Sequence, residues 1–407
     1  MKFTTTFLIA GAIAASGQGL YNVSNLYALD EESSPIQYQL SVYGGYDDNF
    51  TPIGSEFPGA EEEGSGFVGA SIRAAFAHNE SNYSLSVYAN VGAIYYFDAV
   101  DPVDDVSPEV GFGADLTYRF NDRVRFTSNN YTNYGFEPDF SRGIANDRRS
   151  DLFIAWQSNN SIGIRWSERF GTVHGVGFSG VEYDGDIDGF SSISIFNQAR
   201  YRVSPRTILT AGYTFAFNTN DNSIDSDSDR YTLGLEHSLT DRTGFSIRGG
   251  VRSLDRDNGV SQDSFFLNAS LRHQVTSQFK IEGFVNYDLD DFFVNGIVIN
   301  PLEVANFDAR ENLRIGLRGS YTVSEKVSLH GGLSLVNTEF INGQSNLNGN
   351  IGDNDATVYN LNAGFSYGIT NSLSLVGNYN FTNSSSDEIE AFEYNRNRYN
   401  LGITASF

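Results

Sequence analysis

From Ile36 to Phe407 the chain changes polarity at every second residue, in stretches of about 10 to 14 residues broken by polar punctuation. The last nine residues show it most clearly. Tyr399, Leu401, Ile403, Ala405 and Phe407 fall on one face, and Asn400, Gly402, Thr404 and Ser406 on the other. Tyr359 to Ile369 and Leu313 to Val323 split the same way. A two-residue period belongs to strands with unlike faces, since side chains alternate across a pleated backbone. After the first 15 residues no apolar run is long enough for a bilayer-spanning helix. Any membrane crossing would therefore have to be made by a closed barrel, which leaves no backbone group unbonded in lipid.

The punctuation is of two kinds. Tight turns are expected at His78 to Asn82, Asn121 to Arg123, Gln157 to Asn160, Ser204 to Thr207, Thr240 to Thr243, Thr276 to Gln278, Ser324 to Lys326 and Thr370 to Ser372. Longer Asp/Asn/Gly-rich loops alternate with them, at Asp48 to Ser65, Asp98 to Ser107, Phe136 to Arg148, Val173 to Phe190, Asn218 to Ser228, Asp255 to Ser261, Asp290 to Arg310, Ile341 to Asp355 and Asn383 to Tyr394. Eight turns and nine loops give eighteen strands. That is the relation an even-stranded barrel with both ends in the periplasm requires. The expected fold is all-β: a single antiparallel transmembrane β-barrel of about 18 strands (alternative 16), with short periplasmic turns and long acidic extracellular loops. A propeller would need four shorter strands in each repeat instead of two.

Composition supports strands: Tyr 23, Phe 32 and Gly 41 are plentiful, Pro 8 and Met 1 are scarce, and Cys is absent. Lys2, the short apolar stretch Phe7 to Ala15 and the small residues after it read as an export signal, too short to be an anchor. Residues 1–28 are assigned to this signal and a short following segment, and 29–407 to the barrel, with no length left for an N-terminal plug. Export makes the lack of cysteine informative, because an oxidising compartment would permit disulfides. A formal charge of −24 argues against nucleic acid as a partner.

In a soluble sandwich the apolar face would be core, and in a membrane barrel it would face lipid. Two features favour lipid: the polar faces carry small residues and arginine, and Tyr95, Phe97, Phe120, Tyr201, Phe217, Tyr287 and Tyr321 gather at strand ends, where interfacial girdles lie. Tyr399, Leu401, Ile403 and Phe407 resemble the C-terminal signal that outer-membrane proteins present to the barrel assembly machinery. Tyr46-Asp47-Asp48-Asn49 and the units Tyr201 to Thr207, Tyr321 to Lys326 and Tyr367 to Ser372 resemble the outer-membrane β-barrel porin families. Those families imply location in the outer membrane of a Gram-negative bacterium. Some are similar to proteins encoded with exopolysaccharide machinery.

With the apolar register facing lipid, the inward set is basic: Arg73, Arg119, Arg125, Arg165, Arg169, Arg200, Arg202, Arg230, Arg248, Arg252, Arg272, Lys280, Arg314, Arg318 and Arg398. The inward acids are chiefly Asp115, Asp151, Glu236 and Glu282. Rings of arginine favour anions. The expected activity is passive diffusion of small hydrophilic solutes through a wide acidic vestibule and a basic constriction, with a mild anion preference. The competing reading has the arginines holding loop acids folded into the lumen, in a structural or exopolysaccharide-associated barrel without a significant open pore.

Asp184, Asp186 and Asp188, with Gly189 sixth, match the opening of a calcium loop, but the twelfth position is Ile195 instead of a bidentate Glu. That leaves a solvated acidic loop as the default, with a looser loop-bound calcium, or a lipopolysaccharide bridge, there or at Asp221, Asp225, Asp227 and Asp229 as the ligand reading. Of five histidines, His78 is assigned to a turn, His174 to a loop, His237 and His273 outward, and only His330 inward, so no enzyme is expected. Ser128, Asn130 and Thr132 make one strand polar on both faces, and Glu168 and Asn197 fall outward. Either another protomer covers this sector, as in a homotrimer, or the register there is misassigned.

Overall fold

A computed structural model describes residues 36–49, 64–98, 105–135, 152–184, 189–221, 224–290, 294–300, 303–386 and 393–407. The strands are β1 (Ile36–Asp47), β2 (Ser65–Asn79), β3 (Tyr83–Tyr96), β4 (Val106–Arg119), β5 (Val124–Gly135), β6 (Phe153–Arg165), β7 (Phe170–Tyr183), β8 (Phe190–Ser204), β9 (Thr207–Asn220), β10 (Ser226–Thr240), β11 (Thr243–Arg256), β12 (Ser261–Gln274), β13 (Phe279–Asp290), β14 (Val294–Asn300), β15 (Glu303–Phe307), β16 (Ala309–Ser324), β17 (Val327–Ser345), β18 (Gly349–Gly368), β19 (Leu373–Ser386) and β20 (Tyr394–Ser406).

Eighteen of these form the wall, each paired antiparallel with its chain neighbours, and β1 pairs with β20 to close the ring. Closure satisfies the backbone of every wall strand within the sheet, the condition for crossing hydrocarbon. The expected 18-strand barrel is therefore what the chain builds. The other two strands, β14 and β15, form a hairpin inside the expected loop Asp290 to Arg310. At its far end β15 pairs with β17, Ala305 opposite Ser345. Wall strand β13 passes directly to β16, Asp290 opposite Arg310, so the hairpin adds height without changing the ring.

Register identifies the faces. Leu40, Ile72, Val91 and Val110 are opposite one another in succession on β1 to β4, and all are exposed. Following this row around the ring places Ile193, Leu233, Val251, Leu317, Leu333 and Leu401 on the same outer face, each well exposed. A band of bare Val, Leu and Ile is what lipid requires of its side of the wall. Phe120, Tyr201 and Tyr321 border it at the short-turn end, and Tyr95, Phe97 and Phe217 at the long-loop end, as expected.

Between β5 and β8 the expected punctuation is corrected. Gln157 to Asn160 is not a turn but the middle of β6, and most of Val173 to Phe190 is β7 rather than loop. The turn lies at Trp166 to Arg169, where Trp166 and Ser167 both donate backbone N–H bonds to the carbonyl of Phe170. The glycines that suggested a loop are seats for aromatic rings. A Cβ at Gly175 would meet the Phe196 ring at 2.3 Å, and one at Gly180 would meet Trp156 at 2.3 Å. Glycine in a barrel strand relieves such crowding and permits curvature. The turn is displaced by about nine residues and the loop after it starts later than expected, so the count of eighteen is unchanged.

Candidate functional site

The inner wall carries the chemistry. Every basic residue expected there and retained as lining, namely Arg73, Arg119, Arg125, Arg165, Arg200, Arg202, Arg248, Arg272, Lys280, Arg314, Arg318 and Arg398, lies in the register opposite the exposed apolar row. Arg169 does not: it belongs to the turn after β6.

Four carboxylates organise much of this set, and each holds two arginines. Arg272, Glu282 and Arg318 stand in one cross-strand row on β12, β13 and β16. Their contacts to the carboxylate are 2.9 and 2.6 Å. Glu236 receives Arg200 at 2.7 Å and Arg248 at 3.6 Å. Asp288 bridges Arg230 at 2.7 Å and Arg252 at 3.4 Å, and those arginines are direct cross-strand partners. At the seam between the first and last strands, Arg396 donates to Asp47 from both Nε and Nη2, the latter at 2.5 Å, and Arg398 lies 3.8 Å away. Asp47 and Arg396 are almost wholly buried, at 0% and 1% exposed. Two arginines beside one another repel, and a shared carboxylate makes their proximity favourable through charge-assisted bonds.

Asp47, Asp288 and Arg396 were missed from sequence because they stand where strands run into loops. The even-numbered register of Arg396, Arg398 and Asn400 was a usable signal for the last of them.

The wall changes character with height. Toward the long loops the inward side chains are mostly buried and include a large apolar set, Phe67, Ile94, Tyr96, Phe153, Val181, Leu254, Phe340 and Val358, set among buried polar ones such as Asp47, Arg252, Thr382 and Arg396. Tyr43, Phe67, Ile94 and Tyr96 pack as one cluster, and Phe153, Val181, Tyr183 and Phe190 as another. Toward the short turns the inward residues are polar and accessible, with Arg119, Arg125, Arg165 and Arg202 all exposed. The expected height order, acidic vestibule over basic constriction, thus omits an apolar belt that the structure places in the loop-end half.

Outside the wall, the sector that looked polar on both faces is a closed ring of hydrogen bonds. Ser128 donates to Asn160 at 2.7 Å, Asn160 to Ser158 at 2.9 Å, Ser158 to Asn130 at 2.7 Å, and Asn130 to Ser128 at 2.9 Å. The register is therefore as assigned, and the polar groups satisfy one another, which removes most of the cost of facing hydrocarbon. His174 lies in β7 rather than a loop and bonds Asn197 at 2.7 Å and Thr172 at 3.0 Å, so Asn197 is also satisfied. Glu168 lies in the turn after β6.

Asp184 ends the described part of its loop, and Asp186 and Asp188 lie outside the described residues. Among the described residues no group of three His, Cys, Asp or Glu side chains is placed to hold a metal. His330 faces inward as expected and contacts Asn378 at 3.1 Å. At the C-terminus, Phe407 exchanges backbone bonds with Tyr38 at 2.9 and 3.1 Å. Tyr399, Leu401, Ile403 and Phe407 line the outer face, with Phe407 74% exposed.

Residues 240–407, from the end of β10 to the C-terminus, match the family model of the outer membrane protein beta-barrel domain. No curated protein matches the chain. Among solved structures, the siderophore receptor PirA from Pseudomonas aeruginosa is similar with 10% identity and a TM-score of 0.46, over 93% of this chain and 81% of the receptor. Acinetobacter baumannii OccAB2 is similar with 12% identity and a TM-score of 0.46, over 91% of this chain and 98% of that one. OccAB4 from the same organism gives 11% identity and a TM-score of 0.45, over 92% and 99%.

Proposed function

We propose that the chain is an outer-membrane β-barrel protein, a reading supported by the match of its C-terminal part to that family, and that it is a channel for passive diffusion of small hydrophilic solutes, with a preference for anions. The observation that carries this reading is the unequal pairing of inward charge. Glu282 and Glu236 each engage two arginines, Arg272 with Arg318 and Arg200 with Arg248, so among the described residues each of these groups keeps a net positive charge when its bonds are made. Positive walls lower the barrier for anions and raise it for cations, most strongly at low ionic strength.

Planar-bilayer recording of the refolded protein under a salt gradient tests this. The reversal potential should lie on the anion side. Glu282→Gln should move it further that way, and Arg318→Gln should move it back. A channel strongly selective for cations would refute the proposal.

A second reading is favoured by the buried belt of Phe67, Tyr96, Phe153, Phe340 and Val358. In it the loop-end half is closed, and the barrel serves a structural or exopolysaccharide-associated role without a significant open pore. Absence of conductance from well-refolded protein would select it. As to partners, lipid, lipopolysaccharide and the barrel assembly machinery belong to the same proposal, and the Ser128–Asn160 sector is where a neighbouring protomer would sit in a homotrimer. Sedimentation in mild detergent should then give the mass of three chains, and a monomer mass would remove that part.

A further inference from the structure

Six arginines crowd the short-turn end of β4 to β8 without the carboxylates that accompany arginine pairs elsewhere in the wall. Arg119 and Arg125 are direct cross-strand partners on β4 and β5. Arg165 donates its backbone N–H to the carbonyl of Arg123 at 2.7 Å, and Arg202 donates to that of Arg169 at 2.7 Å. Arginine thus neighbours arginine, across a strand pair or a turn, at three successive places along the rim. Among the described residues no acid forms an ion pair with any of the six. Asp122 and Glu168 stand in the same turns and make none; of the neighbouring inward acids, Asp115 accepts a bond from Asn129 at 2.7 Å, and Glu236, in the same cross-strand row as Arg202, is engaged by Arg200 and Arg248. Gly163 lies opposite Arg125, and Gly171 lies between Arg165 and Arg200, so space remains in front of the guanidinium groups.

The chain itself shows what such a pair takes. Arg230 and Arg252 are also direct cross-strand partners, and there Asp288 supplies the oxygens that bind both. Like charges directly opposite destabilise a sheet, and the guanidinium fork matches the oxygens of carboxylate and phosphate two at a time.

We propose that Arg119, Arg125, Arg165 and Arg202, with Arg123 and Arg169 in the adjoining turns, form a binding station for a multiply charged oxyanion of the phosphate class at the periplasmic mouth. The inference rests on the anion-preferring channel above and adds a place and a ligand chemistry to it. The arginines are exposed, so binding is weak and exchanging. That suits a solute that must leave the pore as well as enter it.

Inorganic phosphate is the probe, and two measurements separate this site from the wider reading. In detergent, broadening of the phosphate ³¹P resonance reports binding whether or not the barrel conducts. In bilayers, phosphate added to chloride should reduce the chloride current saturably. Arg119→Gln with Arg125→Gln should weaken both effects by about tenfold or more, the equivalent of losing charge-assisted bonds to one ligand. The charge-matched pair Arg206→Gln with Arg242→Gln, in the next turns along the rim, should leave both within about twofold if the effect is local rather than due to the general field. Anion selectivity without phosphate broadening would overturn the station and leave the channel. Broadening without conductance would keep the station and overturn the channel. Equal losses in the two double variants would reduce the station to a diffuse charge effect and overturn it.

Discussion

Replacing Asp47 with alanine should weaken the barrel by about 3–5 kcal/mol, the usual cost of removing one partner from a buried ion pair. Arg396 would keep its charge at 1% exposure without the carboxylate that now meets it from 2.5 Å. The pair also joins the first strand to the last, so its loss acts where the ring closes on itself. Urea unfolding in detergent should show a lower midpoint with an unchanged slope, and the folded band on an unheated gel should disappear at a lower temperature. Arg206→Ala, which breaks a 3.5 Å pair with an Asp241 that is 95% exposed, should cost under about 1 kcal/mol. Equal shifts for the two variants would show that burial of the seam pair contributes nothing.

The second large effect concerns which side of the wall meets lipid. Ile195 and Ser194 are neighbours on β8 with opposite directions. Ile195 is 55% exposed beside Val176 and Phe215 on the outer face, and Ser194 faces inward between Gly177 and Ala216. Arginine at position 195 should cost about 2–4 kcal/mol near the bilayer midplane, whereas arginine at 194 enters a polar lumen and should change selectivity more than stability. Folding into lipid vesicles followed by denaturant titration measures both. The reverse order, or equal tolerance, would mean that the faces have been exchanged.

Strand number, direction and facing were legible from the sequence because lipid and water impose different side-chain classes at alternate positions. A single shift in phase would put Leu313, Ile315 and Leu317 inside. The stretch Gln157-Ser158-Asn159-Asn160 was misread because its outward members bond to Ser128 and Asn130 of the neighbouring strand, a partnership that local polarity does not reveal. The glycines of β7 misled for a related reason, since the Phe196 and Trp156 rings they accommodate come from other strands.

Among the site residues, the arginines followed from parity alone. Their grouping did not, because Arg230, Arg252 and Asp288 are brought together by register across β10, β11 and β13. Asp47 and Asp288 were hidden by acid-rich surroundings in which a paired carboxylate looks like any solvated one. The rim arginines Arg119, Arg125, Arg165 and Arg202 were visible as individual charges but not as a set that makes no ion pair among the described residues, since that depends on every neighbouring strand.

The wall is not of even height. Strands β17 and β18 have 19 and 20 residues, and the β14–β15 hairpin is joined to the upper end of β17. At about 3.3 Å per residue and a tilt near 40°, twenty residues rise roughly 50 Å, against about 30 Å of hydrocarbon. On this flank the paired backbone therefore stands above the bilayer as a crest, whereas β6 and β7 across the ring have 13 and 14 residues. The crest is thereby presented to a phage or antibody approaching the cell, and epitopes mapped by surface labelling should include it.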